Sequence, residues 1–197
     1  MKQLPQNIHC LSRAREGPTV VLLKKTHGDE IGGEMVVDVV MDRLISISRG
    51  SLYWGVGNPL ASERNVRFVD SDLNRSYGKS ASSGYEGQRA AELKPLLSQA
   101  DYLLDIHSFR KPASPIICYP GNNFSGLENL TKHLPIETVV YGPGLWPPSG
   151  DHIYADTFVC SNGGVGLTIE SGYLTDSAAI DTVALGVQRI LQDPTWS

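Results

Sequence analysis

The sequence TVVLLKKTHGDE, residues 19–30, decides the fold class of this chain. Its β-branched, apolar first half, Thr19 to Leu23, predicts a buried strand. Directly after it, from Glu30 to Ile47, apolar residues recur at helical spacing and predict an amphipathic helix. A buried strand that leads into a helix is the repeating unit of α/β proteins, whose ligands gather where the strands end. His27 and Glu30 lie at such a strand end.

The same alternation continues along the rest of the chain. A first strand is predicted around Ile8 and Leu11, and further strands at 51–56, 102–106, 116–119, 138–141 and 165–169. Helices are predicted at 86–97, 126–133 and 177–191, a polar loop at 61–85, and a Pro/Gly-rich loop at 142–150. This pattern predicts an α/β fold with a mixed central sheet flanked by helices. We expect one domain over residues 1–197, without a C-terminal β domain.

Composition narrows the classes of function. The chain has 197 residues, 41% hydrophobic and 19% charged, with a net charge of −4, as in ordinary globular proteins. The absence of a basic block argues against a nucleic-acid partner. Apolar runs fall short of the roughly 20 residues that span a bilayer, so no membrane partner is expected. Three cysteines without metal or redox spacing, and no apolar leader, indicate a cytoplasmic protein.

A metal site is the chemistry that this first strand end suggests. A histidine and a carboxylate three residues apart can occupy two corners of a zinc tetrahedron. His107, after the apolar residues 102–104, is the candidate third ligand, and Asp105 could accept its remaining imidazole N–H. Each residue also has a plainer interpretation, such as a histidine bonded to a backbone carbonyl. The three together favour a metal site that leaves room for water and substrate.

A hydrolytic metal site also needs a general base and a cation. Glu170 follows the apolar run 165–169, where a carboxylate is costly unless it is paired or functional, and is the candidate base. The stretch RFVDSDLNR, residues 67–75, brings two arginines. Arg67 could stabilise an oxyanion, while Arg75 with Asn74 could anchor a substrate carboxylate. Alternatively, these arginines form surface ion pairs with Asp70 and Asp72.

Five motifs, taken in order, resemble those of the succinylglutamate desuccinylase/aspartoacylase family, a branch of the zinc carboxypeptidase superfamily. They are HGDE at 27–30, NPLA at 58–61, DSDLNR at 70–75, DIH at 105–107 and IESG at 169–172. The resemblance covers most of the chain, from about Thr19 to Tyr173. It implies a zinc-carboxypeptidase-like fold and a zinc amidohydrolase that cleaves the amide bond of an N-acyl amino acid or a related small carboxylate.

The resemblance also implies roles for individual residues. His27, Glu30 and His107 match the ligands of one Zn²⁺ per chain, and Glu170 matches the base that activates the water. Arg67 matches the residue that polarises the scissile carbonyl. Asn74 and Arg75 match the pair that binds a substrate carboxylate, and Arg110 lies near a substrate-binding arginine of some members.

Two features depart from the family. Asp29 stands where the family usually has Asn, which places an extra carboxylate between two expected ligands. The chain also stops one helix after Glu170, whereas family members of known activity carry a C-terminal β-rich domain that helps enclose the cleft. A more open cleft is therefore expected unless another subunit covers it, and a homo-oligomer stays an open expectation.

Other functions compete with the amidohydrolase. A carboxypeptidase-like peptidase would use the open cleft on short peptides or peptidoglycan fragments. An inactive metal-binding module would bind small acids without turnover. An esterase that uses Ser108 or Ser171 ranks last, because neither lies in a Gly-x-Ser-x-Gly elbow.

Overall fold

A seven-stranded sheet forms the centre of the computed structural model, which describes residues 4–12, 16–78, 83–112, 115–136, 138–140 and 153–193. The strands are β1 (Ile8–Ser12), β2 (Thr19–Lys24), β3 (Ser51–Val56), β4 (Tyr102–Phe109), β5 (Ile116–Pro120), β6 (Thr138–Val139) and β7 (Val165–Tyr173). The predicted loop 142–150 lies outside the described residues.

The sheet is mixed, as the sequence predicts. Its strand order is β1-β3-β2-β4-β7-β5-β6. The four central strands β3, β2, β4 and β7 run parallel, β1 pairs antiparallel with β3, and β5 pairs antiparallel with β7. The expected α/β class with a mixed central sheet is therefore confirmed.

Helices cover both faces of this sheet. They are α1 (Ile31–Arg43), α2 (Pro59–Arg64), α3 (Tyr85–Leu97), α4 (Leu127–Thr131), α5 (Ala155–Ser161) and α6 (Ser177–Gln192), with a 3₁₀ turn at Leu73–Arg75. Because side chains alternate along a strand, β2 sends Val20 and Leu22 into the core under α1 and α6. Its other residues, Val21 and Leu23, enter the core that α3 and α5 share.

The chain changes direction at β2, which fixes where a ligand can bind. From β2 it crosses through α1 to β3 on one side, and from β3 through α3 to β4 on the other side. Ligands of open α/β sheets bind at such a switch point, outside the carboxyl ends of the strands. In this chain His27 lies three residues beyond β2, and His107 lies near the carboxyl end of β4.

Several predicted boundaries are wrong. The strands β4 and β7 extend to Phe109 and Tyr173, so His107 and Glu170 lie within strands rather than after them. Ser171 and Gly172, which follow Glu170, are also part of β7, with Gly172 at φ 87°. The loop predicted at 61–85 overlaps the short helix α2, capped by Asn58, and the helix α5 was not predicted.

Among the described residues, no helix is both long and apolar enough to cross a membrane.

Candidate metal centre

His27, Glu30 and His107 meet at the carboxyl edge of the sheet, and all three are buried. The Nδ1 atom of His27 lies 2.8 Å from one Glu30 oxygen, and the Nδ1 atom of His107 lies 2.9 Å from the other. The two Nδ1 atoms are 3.1 Å apart. The three residues predicted as metal ligands are thus brought together with four donor atoms around one point.

Close backbone packing brings these side chains together. A Cβ atom on Gly28 would lie 2.2 Å from the carbonyl carbon of Ala61, so only glycine lets the loop after β2 pass α2 this closely. A Cβ atom on Gly33 would lie 2.2 Å from the carbonyl oxygen of Ile106. The first turn of α1 can therefore rest against β4, which brings Glu30 to His107.

The outer nitrogen of each imidazole faces a carboxylate. His27 Nε2 lies 3.0 Å from Asp72 Oδ1, and His107 Nε2 lies 3.0 Å from Asp105 Oδ2, although the second pair is not aligned as a hydrogen bond. Asp105 is fully buried and also accepts a 2.7 Å hydrogen bond from the Thr26 hydroxyl. Asp105 favours the Nε2–H tautomer of His107, which leaves its Nδ1 lone pair directed at the shared point, whereas His27 Nε2 lies 3.0 Å from Arg67 Nη2 as well as from Asp72.

The donor set fits a divalent metal. Two nitrogen lone pairs 3.1 Å apart repel each other unless a proton or a cation lies between them. Two imidazoles and a carboxylate are typical of a zinc site that keeps a position open for water. The ligand atoms lie within 4.8 Å of one another, and no other group of this kind occurs in the described ranges.

The electrostatics of the cluster agree with an affinity for positive charge. Burial raises the pKa of Glu30, but the two imidazoles outweigh it and hold that pKa well below its usual range. Burial lowers the pKa of His107, but the charges of Asp105 and Glu30 outweigh it and raise the pKa well above its usual range. Buried carboxylates around both rings thus stabilise a cation at this point.

Glu170 lies in β7, at the same edge of the sheet. It is the direct register partner of His107 across the parallel pair β4 and β7. Its Oε2 atom is buried and has no hydrogen-bond partner among the described residues. Burial raises the pKa of its carboxyl to about 7, with His107 lowering it and Glu30 raising it by smaller amounts. A carboxyl group with this pKa can both take up and release a proton near neutral pH.

Arg67 lies on the outer side of the same cluster. Its Nη1 donates to Glu30 over 3.1 Å, and its Nη2 lies 3.7 Å from Asp72 Oδ2. The side chain is 47% exposed, so one part touches the ligand carboxylate while the remainder faces solvent. This guanidinium is therefore available to a ligand next to the candidate metal position.

Asn74 and Arg75 form the next layer outward. The Oδ1 of the buried Asn74 accepts a 3.0 Å hydrogen bond from the backbone N–H of Ala155, which leaves its Nδ2 group as a donor. The Arg75 guanidinium lies 4.1 Å from the centre of the Tyr154 ring, a cation–π contact, and its Nη1 is 4.0 Å from Asp72 Oδ2. Asp72 thus links Arg75 to Arg67 and His27.

Arg110 is connected to the site through Asp29. It lies one residue beyond β4 and forms an ion pair with Asp29. The Asp29 side chain is only 5% exposed, whereas that of Arg110 is 66% exposed. The Asp29 carboxylate that departs from the family pattern is therefore turned to an arginine, and its Oδ1 has no partner within the described part of the chain.

Three residues near the site were not predicted as site residues. Asp72, considered only as an ion-pair partner, touches His27 directly. Lys25 is buried, has φ 55°, and donates from Nζ to the carbonyl of Gly28 over 3.0 Å, which holds the loop that carries His27. Glu86 is fully buried beneath the loop that carries Asp72. Their roles depend on contacts made in the folded chain, which neither residue type nor spacing in the sequence reveals.

Comparison of the sequence with known proteins identifies the family that this chain resembles. Residues 16–134 match the model of the succinylglutamate desuccinylase/aspartoacylase catalytic domain. An N-acyl-aromatic-L-amino acid amidohydrolase (carboxylate-forming) of Xenopus laevis is 31% identical over 120 residues, which are 54% of this chain and 39% of that protein. The aspartoacylase of Danio rerio is 29% identical over 117 residues, 52% of this chain and 36% of that protein. The matches thus span well under half the length of these relatives.

Solved structures agree in fold. The succinylglutamate desuccinylase/aspartoacylase of Rhodobacter sphaeroides has a TM-score of 0.76 at 20% identity, and the alignment covers 93% of this chain and 57% of that one. The family model alone matches more than half of the residues, from Glu16 to Leu134. The resemblance found in the sequence is therefore confirmed, and the chain belongs to the succinylglutamate desuccinylase/aspartoacylase family.

Proposed function

We propose that this chain is a zinc-dependent amidohydrolase that cleaves the amide bond of an N-acyl amino acid or a related small carboxylate. The observation that carries the proposal is the convergence of the His27 and His107 Nδ1 atoms on both oxygens of Glu30. The half-buried Glu170, whose Oε2 atom is buried, stands in register with His107 within the same site. Membership of the family supports the same reaction.

The three converging side chains would hold one zinc ion. When bound, zinc polarises a carbonyl oxygen and lowers the pKa of a water molecule to about 7. Asp105 would keep the His107 imidazole in the metal-binding tautomer, and Asp72 would orient the His27 ring, because each carboxylate faces the outer Nε2 atom. The Thr26 hydroxyl fixes Asp105 from behind.

Glu170 would move the proton. Its unpartnered Oε2 atom can accept a proton from the attacking water and return it to the leaving amine, since the pKa of about 7 lies near neutral pH.

Arginines would orient the substrate. Arg67, half-exposed beside Glu30, would stabilise the oxyanion that develops on the scissile carbonyl. Arg75 and the Nδ2 group of Asn74 would bind a carboxylate of the substrate, with Arg75 held against the Tyr154 ring. Arg110 would supply a further cation from the end of β4.

A hydrolysis screen tests the proposal. The zinc-loaded chain is incubated with N-acetyl and N-succinyl amino acids and with short peptides, and release of the free amine is measured. We expect turnover of at least one N-acyl amino acid that is lost in Glu170→Gln and kept in Glu63→Gln, an exposed glutamate on α2. Turnover of peptides alone would identify a peptidase instead, and no turnover of any compound would contradict an enzymatic function.

A further inference from the structure

Glu86 accepts four hydrogen bonds, three of them from one loop of the site. Its side chain is fully buried near the start of α3. One carboxylate oxygen accepts from the Asn58 side-chain amide over 3.1 Å and from the backbone N–H of Val69 over 2.6 Å. The other accepts from the backbone N–H groups of Asp70 over 3.0 Å and Ser71 over 3.1 Å. Three consecutive amides therefore converge on one buried anion.

The loop holds the helix in return. The Asp70 carboxylate accepts a 2.7 Å hydrogen bond from the backbone N–H of Tyr85, the first residue of α3. The Tyr85 hydroxyl oxygen accepts from the backbone N–H of Leu60 in α2 over 3.1 Å. These hydrogen bonds therefore connect the start of α3 both to the loop 69–71 and to the start of α2.

This loop separates the arginines that face the candidate metal centre. Arg67 lies two residues before it, and Asp72 follows it directly. Asp72 contacts His27 and approaches Arg67 and Arg75. The backbone N–H groups of residues 69–71 all donate to the Glu86 carboxylate. The backbone from which these side chains extend is therefore held in place relative to the sheet.

An ionised carboxylate is needed for this arrangement. Burial raises the pKa of Glu86. The hydrogen bonds from the Val69 amide, the Asn58 side chain and the amides of residues 70 and 71 outweigh this effect and lower the pKa. A buried charge is costly without such donors, and N–H groups around an anion are costly without an acceptor. The carboxylate and the folded loop therefore depend on each other.

We propose that Glu86 is a positioning residue, whose buried carboxylate fixes the loop 69–71 and so sets Arg67, Asp72 and Arg75 against the metal ligands. The inference rests on the proposed function for its kinetic consequence. Within the described part of the chain, Glu86 makes no hydrogen bond or ion pair with His27, Glu30, His107 or Glu170, so its effect passes through the loop.

Glu86→Gln is the decisive variant, because it keeps the size of the side chain. An amide offers one oxygen and one NH₂ group, so in either orientation two of the four donors face a donor instead of an acceptor. We expect faster hydrogen exchange at amides 69–71, full zinc occupancy at saturating zinc, and zinc affinity about tenfold weaker because Asp72 orients His27 less well. For substrates turned over by the wild type, KM should rise about tenfold.

Two further variants make the test specific. Glu63→Gln is an equally conservative change at an exposed position of α2, and it should match the wild type in every measurement. Asp70→Ala removes only the return bond to Tyr85 from an exposed side chain. It should shift exchange, zinc affinity and KM in the same direction as Glu86→Gln but by less, and it replaces that variant if Glu86→Gln does not fold.

A purely structural role predicts a different result. In that case Glu86→Gln would lower the melting temperature while leaving amides 69–71, zinc affinity and KM at wild-type values, and the inference would be overturned. The exchange and zinc measurements need no turnover. A wild-type chain without hydrolase activity would therefore refute the proposed function, while these two measurements would still decide whether Glu86 positions the loop.

Discussion

At the scale of single residues, Glu170 has the most sharply defined task. Its carboxylate shares the site with three ligand side chains, but its unpartnered Oε2 leaves it open to a water molecule. We expect Glu170→Gln to retain zinc and to lower kcat by about 10²- to 10⁴-fold, the usual contribution of a general base. Metal analysis and kinetics on the same preparation check this, and wild-type turnover in the variant would assign the base elsewhere.

The ion pair between Asp29 and Arg110 gives a second prediction at the scale of single residues. A nearly buried carboxylate that loses its only ion-pair partner among the described residues is left uncompensated. Arg110→Ala should therefore lower the free energy of unfolding of the metal-free chain by about 1–2 kcal/mol, a modest value because Arg110 is largely exposed.

Asp29→Asn provides the matched control for that loss. With the charge at residue 29 removed, Arg110→Ala should cost much less, and the double-mutant cycle in urea measures the difference. Equal costs in both backgrounds would show that the ion pair does not stabilise the fold.

At the scale of elements, the sequence predicted strands and the long helices better than short pieces. The run 19–23 and the spacing of α6 are strong periodic signals, and both elements appear where they were predicted. The helix α2 was missed because its six residues hold a single buried residue, Ala61, and no apolar stripe. It begins at Asn58 as N-cap followed by a proline, a combination that is a local signal for a helix start.

The site residues that lie next to strongly periodic segments could also be predicted from the sequence. His27, Glu30, His107 and Glu170 could be predicted because each stands at or near the end of an apolar strand, and parallel strand ends share one edge. Glu86 and Asp72 could not be assigned roles, because Glu86 is buried beneath a polar loop without periodicity and Asp72 lies within that loop. The sequence therefore predicts the cluster of His27, Glu30, His107 and Glu170 more completely than the residues that support the loop beside it.

The contact between α5 and β7 makes a prediction about pH. Burial raises the pKa of Asp156 to about 6, although the Thr168 hydroxyl donates to it over 2.9 Å. A carboxyl whose pKa is higher in the folded state than its ordinary value of 3.8 binds its proton more tightly when folded. It therefore favours folding at low pH, and this contribution is lost as the pH rises from about 4 to 6.

Asp156→Asn removes this titration. The side-chain oxygen can still accept from the Thr157 backbone, and the Thr168 hydroxyl can turn to accept from the amide. At pH 7 we expect the variant to be more stable than the wild type by up to about 3 kcal/mol, and this advantage should vanish below pH 4. Urea unfolding at several pH values checks it, and a stability difference that does not change with pH would show that Asp156 keeps its ordinary pKa.

At the scale of the whole molecule, the candidate ligands come from separate parts of the architecture. His27 lies in the loop after β2, Glu30 caps α1, and His107 lies in β4. The unfolded chain separates these groups by up to 80 residues, so it offers no comparable site. A metal that binds here stabilises the folded state over the unfolded state by mass action.

Zinc should therefore raise the melting temperature of the chain. At 100 to 1,000 times its dissociation constant, a ligand adds about 3–4 kcal/mol, which corresponds to about 5–15 °C for a chain of this size. His107→Ala should abolish this shift, whereas Glu170→Gln should keep it, since Glu170 is placed as the base and not as a ligand. Mg²⁺ should have little effect, because it prefers oxygen donors to imidazole nitrogen. Differential scanning calorimetry of metal-free and zinc-loaded protein gives the answer, and a zinc shift that survives in His107→Ala would place the metal outside the cluster of His27, Glu30 and His107.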